Sequence, residues 1–258
     1  MGNKQRTIDR LRISYRLYVA FAGFVLFSVA GSCLSAGYRI DPGPIAPLAG
    51  LCLILTGSVC VAVEIGRWEP VVWIAGVASL LECLGMLTGF PFGRYDYTGR
   101  WWPSIPIGSS HNFPLLLPFA WILIVGGCYL TVRPFASGWL AITLAAVLAA
   151  AIDAPMERAM TSTFHYWAWR AAGPVFGVPL TNTLGWLAVG LLAAASLRNR
   201  QGETAGGYSP RVLALFCGFI ALSGTLGGLE AAWFLLALLG VAIWLAGSLP
   251  GRSVGGDV

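Results

Sequence analysis

Charge is what this sequence has least of. Of its 258 residues only 10% are Asp, Glu, Lys or Arg, while 57% are hydrophobic; a soluble domain carries about 25% charged residues. So few charges cannot clothe a water-facing surface, and composition alone points to a membrane protein. Lysine occurs once, as Lys4 in the leading segment, which excludes a retinal Schiff base inside an apolar bundle. The two histidines, His111 and His165, are too few for the histidine-rich di-iron sites of membrane desaturases and hydroxylases. No DDxxD-type pair is present, so a magnesium-diphosphate site is disfavoured. All six cysteines lie inside apolar runs without a CxxC pair, and they are expected as small core residues rather than disulfides or zinc ligands. The net charge of +5 gathers at the ends of apolar runs and forms no continuous face, so nucleic acid is not expected as a partner.

What is abundant is unbroken hydrophobicity. Runs such as LYVAFAGFVLFSVAGSCLSAG and VLALFCGFIALSGTLGGL are apolar on every side, as helices in lipid are. The first run has the length of a full span and many spans follow it, unlike a cleavable signal peptide. Spans of about 20 residues are expected near 17–37, 45–63, 70–90, 114–133, 137–153, 183–198, 212–228 and 230–249. The predicted fold class is therefore all-α: one integral membrane domain over 1–258, a polytopic bundle of seven or eight transmembrane helices. Residues 1–16 read as a basic tail and 199–211 as a polar linker. With the amino terminus inside, eleven of the sixteen basic residues, Arg200 and Arg252 among them, fall on the cytoplasmic side. The positive-inside rule favours that orientation, with both termini cytoplasmic in a cytoplasmic membrane. The two long connections, 91–113 and 154–182, then share the non-cytoplasmic face and can build one site between them.

Three acids stand out against this background. Glu82 lies twelve residues into the span that starts at Pro70, about 18 Å into a core of about 30 Å. A carboxylate at that depth is costly, so Glu82 is expected to be protonated or paired; it either hydrogen-bonds a neighbouring helix or carries chemistry. Asp153 and Glu157 are four apart, on one helical face. Either Asp153 caps a short helix with Pro155 in its first turn, or the two acids share a proton and supply an acid. The segment PMERAMTSTFHYWAWR has the spacing of a short amphipathic surface helix, and its tryptophans, like Trp101 and Trp102, also suit an interfacial belt. Glu64 and Glu230 read as interface or capping groups.

Four stretches carry a resemblance: ECLGMLTGFPFGRYDYT (82–98), NFPLLLPFAW (112–121), AAIDAPMERAM (150–160) and YWAWRAAGPVFGVPLTNTLGW (166–186). In this order they resemble the membrane carotenoid-biosynthesis family that includes the CruF-type carotenoid hydratases. The resemblance implies addition of water to the terminal C=C bond of an acyclic, lycopene-type carotenoid end group, without redox chemistry and without a cofactor. Protonating that alkene gives a tertiary cation, so such a site needs a positioned acid, aromatic faces and one captured water. Glu82, Asp153 and Glu157 are the candidate acids, with Asp153 preferred as donor. Tyr95, Tyr97, Trp121, Trp167 and Trp169, with Phe92, are the candidate walls, and Asp96, His165 or Asn182 could hold or deprotonate the water. On this reading the stretch 88–112 is a lid over a water-fed acid site, the polyene arrives from the bilayer, and other carotenoid enzymes are conceivable partners. A proton-coupled transporter would use Glu82 and Asp153 as a relay but calls for two related halves, which the sequence lacks. A non-catalytic membrane partner would leave the buried acids unexplained.

Overall fold

The computed structural model describes residues 3–41, 43–107, 111–198, 207–226 and 228–249; Arg200, Arg252 and the 199–206 part of the expected linker lie outside them. The described chain is an all-α bundle of eight helical rods, decorated at one end by four short strands. In chain order these are α1 (Asn3–Tyr38), α2 (Ile45–Ile65), α3 (Trp68–Thr88), β1 (Tyr95–Tyr97), β2 (Ser104–Ile107), β3 (His111–Pro114), a composite rod, α6 (Gly138–Ser162), β4 (Trp167–Trp169), α7 (Leu180–Ala194), α8 (Ser209–Thr225) and α9 (Ala231–Ser248). The composite rod joins α4 (Leu117–Trp121) to α5 (Gly127–Val132) through a π-helical turn at Ile122–Gly126. Among the described residues six helices are long and apolar enough to cross a membrane, and the 117–132 rod and α8 are shorter apolar helices. The chain is an integral membrane protein.

The rods sit where hydropathy puts them, because a lipid-facing backbone must satisfy its own hydrogen bonds and an apolar run does so only as a helix. The core forms where the composite rod meets α6 and α8, with Leu123, Ile124, Val125 and Cys128 packed into one cluster with Ile142, Ala145, Ala149, Leu213 and Cys217. Close approach there depends on Gly126, since a Cβ would come within 2.6 Å of Val61 on α2.

Two expectations need correcting. Residues 3–16 are not a separate tail but the first turns of α1, whose 36 residues span about 54 Å. Tertiary contacts hold this extension: Ser14 is fully buried, the Cys60 thiol lies 3.6 Å from the Ser14 carbonyl, and Arg10 donates to the Gly66 carbonyl at 3.1 Å. Likewise α6 does not stop at Asp153, and no separate surface helix follows. It runs on to Ser162 with Pro155 inside it, so Asp153 is a fully buried mid-helix residue and no N-cap. Proline removes one helical hydrogen bond, a loss that a helix packed among α7, α8 and α9 absorbs.

Glu64 is the capping group it was expected to be, but for another helix. Its Oε1 accepts the Tyr208 backbone N–H at 2.5 Å, and its Oε2 accepts the Ser209 N–H at 3.0 Å and the Ser209 hydroxyl at 2.5 Å. A carboxylate thus sits at the amino end of α8, where free N–H groups and the helix dipole favour it.

The two long connections meet at one end of the bundle. β1 pairs antiparallel with β4 in the register Tyr95↔Trp169, Asp96↔Ala168 and Tyr97↔Trp167, extended by Arg170 N–H to the Arg94 carbonyl and Thr98 N–H to the Tyr166 carbonyl, both 3.0 Å. β2 and β3 form a second antiparallel pair.

Candidate functional site

The turn after α3 sets the geometry. Gly89 closes the helix with a left-handed φ of 84°, and the chain then drives Phe92 between two helices. A Cβ on Gly85 of α3 would stand 2.9 Å from the Phe92 ring, and one on Gly185 of α7 would stand 2.7 Å from it. The Thr181 hydroxyl fixes the Phe92 carbonyl at 3.0 Å. With that wedge seated, β1 lies over the ends of α3 and α7, and the alternation of a strand sends Tyr95 and Tyr97 to one side and Asp96 to the other.

Tyr95 and Tyr97 both donate to Glu82 Oε2, at 2.5 and 3.3 Å. The Trp121 indole N–H, at the end of α4, donates to Glu82 Oε1 at 3.3 Å. Glu82 is six residues from the end of α3, about 9 Å along the helix from its loop end. Burial, and then the Glu82 carboxyl, push the Tyr95 and Tyr97 phenols well above their usual range. They stay protonated and serve as donors.

A parallel arrangement surrounds Glu157. Trp167 and Trp169, on the same side of β4, donate to its Oε2 at 2.8 and 3.0 Å. Asn182, in the first turn of α7, donates from Nδ2 to Asp153 Oδ2 at 2.7 Å and reaches Glu157 Oε1 at 3.4 Å. The paired strands therefore hand two phenols to one carboxyl and two indoles to the other. Asp153 Oδ1 is buried without a hydrogen-bond partner among the described residues. None of the three acids is in a salt bridge among those residues, although such bridges occur at Arg67–Glu69, Arg158–Glu230 and Arg170–Asp96. Three carboxyls are thus buried with neutral donors only among the described residues, a costly arrangement in a membrane bundle.

A cavity of about 690 Å³ opens beside them, lined by Glu82, Glu157, Asn182, Phe92, Tyr95, Tyr97, Trp121, Trp167 and Trp169 and extending to α1, α2, α8 and α9. Asp153 does not line it; it stands behind Asn182 and Glu157. Asp96 and His165 are not brought to it either. Asp96 forms a bidentate pair with Arg170, at 2.7 and 2.8 Å, which holds its carboxyl below the usual range. His165 is exposed, with a left-handed φ of 52°, and its Nδ1 lies 3.0 Å from the Thr161 carbonyl at the end of α6. Among the described residues no group of three or more His, Cys, Asp or Glu is arranged to hold a metal ion.

Sequence reasoning missed two parts of this wall. Trp186 stacks on Trp121 with ring centroids 4.0 Å apart, and its signal was the GW that closes the quoted 166–186 stretch. Tyr166 stacks on Trp101 at 5.4 Å and 9°, which ties Trp101 to the 154–182 connection.

Fold and site together define a polytopic membrane bundle that buries an acid cluster under an aromatic lid made by two loops. A model of the carotenoid biosynthesis protein family matches residues 44–246, which include the three buried acids and both loops that cover them, and the chain belongs to that family. Its role lies in carotenoid biosynthesis. No curated protein and no solved structure matches the chain at a significant level.

Proposed function

We propose that the protein is a cofactor-independent carotenoid hydratase that adds water across the terminal C=C bond of an acyclic, lycopene-type end group. The observation that carries this reading is the pair of cavity-lining carboxyls, Glu82 and Glu157, buried without a cation and faced by aromatic rings. The cavity volume of about 690 Å³ lies within the roughly 300–1,000 Å³ typical of ligand sites. A polyene end is apolar, so its transfer from the bilayer into such a cavity loses no hydration.

The chemistry divides among the residues. A carboxyl that holds its proton gives it to the less substituted alkene carbon, and the π electrons form the new C–H bond. The neighbouring carbon becomes a tertiary cation, facing Tyr97, Trp121, Trp167 and Trp169 at the π faces that stabilise positive charge. Water adds to that cation through an oxygen lone pair and then loses a proton to a carboxylate. One H₂O is consumed and a tertiary alcohol forms; the proton taken up by the receiving carboxylate then returns to the donor carboxyl through water in the cavity, which restores both groups. Glu157 suits the donor, since it lines the cavity; Asp153, which shares the Asn182 amide with it, tunes it from behind. Glu82, facing three donors, suits the carboxylate that stabilises the cation and receives the proton from water. The preference for Asp153 as direct donor thereby passes to Glu157.

The bias of basic residues supports placing both termini in the cytoplasm and the lid on the opposite side of a cytoplasmic membrane. The decisive experiment is expression in cells that make lycopene, followed by pigment analysis. A product hydroxylated at the acyclic end is expected; unchanged lycopene in the presence of folded protein overturns the proposal.

A further inference from the structure

Hydration needs a second substrate, and the lid is a poor route for it. Trp101 lies flat on Tyr166 and 5.7 Å from Trp167, Tyr97 packs edge-on to Trp167 at 5.8 Å, and Tyr95 to Trp169 at 5.2 Å. The hydroxyls and indole N–H groups of Tyr95, Tyr97, Trp167 and Trp169 are spent on Glu82 and Glu157. Water passing there would have to break the ladder between β1 and β4 and the hydrogen bonds that hold the acids.

The flank of the cavity formed by α8 and α9 differs. Ser223 on α8 lines it and is 3% exposed, yet its hydroxyl has no hydrogen-bond partner among the described residues. A buried polar atom of that kind facing a cavity is satisfied by a water molecule. Next to it Gly224 receives the Trp233 indole, which a Cβ would meet at 2.5 Å. Glu230, three residues before Trp233, takes a bidentate pair from Arg158 of α6, at 2.8 and 3.0 Å. Arg158 and Glu230 line the same cavity, and both side chains remain more than a third exposed. A charged pair exposed at the end of a membrane bundle faces water rather than acyl chains.

We propose that water enters through a port at the corner of α6, α8 and α9, where Ser223 binds it and the Arg158–Glu230 pair guards the mouth. The need for that water rests on the hydratase reading; the existence of the port does not. The polyene and the water then approach the acids from different sides, which keeps the carbocation away from bulk solvent until one water is delivered.

The port is tested with the full chain in lipid nanodiscs and a small, water-soluble methanethiosulfonate reagent, read by peptide mass spectrometry. No carotenoid is added at this stage. The thiol introduced by Ser223→Cys is expected to react faster than those introduced by Ser32→Cys, on the α1 flank of the cavity, and by Tyr97→Cys under the lid. Adding Glu230→Gln should raise the Ser223→Cys rate about two- to fivefold, the population change that loss of an exposed ion pair allows. If Ser223→Cys does not accumulate, Leu226→Cys on the same rim takes its place. Faster labelling of Ser32→Cys or Tyr97→Cys overturns the port. Where the wild type hydrates lycopene, labelling of Ser223→Cys should also block hydration while polyene binding persists; full hydration by the labelled protein overturns the port as well. A wild type that yields no hydrated product defeats the hydratase reading alone, because the order of labelling still decides the port.

Discussion

The Tyr95 hydroxyl lies 2.5 Å from Glu82 Oε2, joining the first strand of the lid to the acid buried in α3. One contact therefore links lid closure to the acid site. Removing the hydroxyl by Tyr95→Phe leaves that oxygen with Tyr97 alone, at 3.3 Å. A buried hydrogen bond is worth about 0.5–1.5 kcal/mol and the Tyr95 contact is the shorter of the two, so Tyr95→Phe should lower thermal stability in detergent more than Tyr97→Phe. Equal melting temperatures for the two variants would show that the shorter contact has no energetic privilege.

The acids should separate by position. Glu157 lines the cavity and Asp153 does not, so Glu157→Gln is expected to reduce hydration by about 10²–10⁴-fold, the usual worth of a general acid. Asp153→Asn keeps the hydrogen-bonding shape beside Asn182 and acts only through Glu157; its loss should be smaller. Pigment extracts from lycopene-making cells give both numbers. A larger loss in Asp153→Asn would return the donor role to Asp153.

Acid should loosen the lid through Asp96. Its carboxyl titrates below the usual range because Arg170 donates two hydrogen bonds to it. A lowered folded-state value means that the stabilisation is present above the ordinary carboxylate value near 3.9 and is lost as pH falls through the lowered one. Both side chains are about half exposed, at 55% for Arg170 and 44% for Asp96, so solvent screens the pair and its contribution is small. Amide exchange in 95–97 and 167–169 should therefore gain a modest protection loss below about pH 4, which Asp96→Asn removes. An acid step that persists in Asp96→Asn would assign it to another group.

How much was legible beforehand follows from which forces act locally. The apolar runs announced every rod, because lipid admits backbone only as self-satisfied helix. Glu82, Asp153 and Glu157 stood out for the same reason, as charges that such runs exclude. The strands β1 and β4 could not be read, since three-residue strands carry too few positions to show alternation, and their pairing joins residues 70 to 74 apart. Pro155 gave a false helix start because its preference for a first turn was outweighed by packing around α6. The roles of Asp96 and His165 depended on which side of a strand or turn each faces, and nothing in the composition of the loops encodes that.

The Phe92 wedge offers the sharpest test of how the lid is anchored. Its ring stands where a Cβ on Gly85 or Gly185 would approach to 2.9 or 2.7 Å, so each glycine is required by contact, not by backbone conformation. Gly185→Ala should displace the ring and cost about 1–3 kcal/mol, the usual penalty of overpacking. Because Phe92 begins the turn that delivers Tyr95 to Glu82, hydration should fall together with stability. Phe92→Leu alone leaves a gap between α3 and α7 and should also destabilise. The double variant Gly185→Ala with Phe92→Leu exchanges ring volume for a methyl, so its melting temperature should exceed the sum of the two single effects by a coupling of about 0.5–3 kcal/mol. Strict additivity in that cycle would mean that the ring and the glycine do not meet, and that the lid is held by the strand pairing alone.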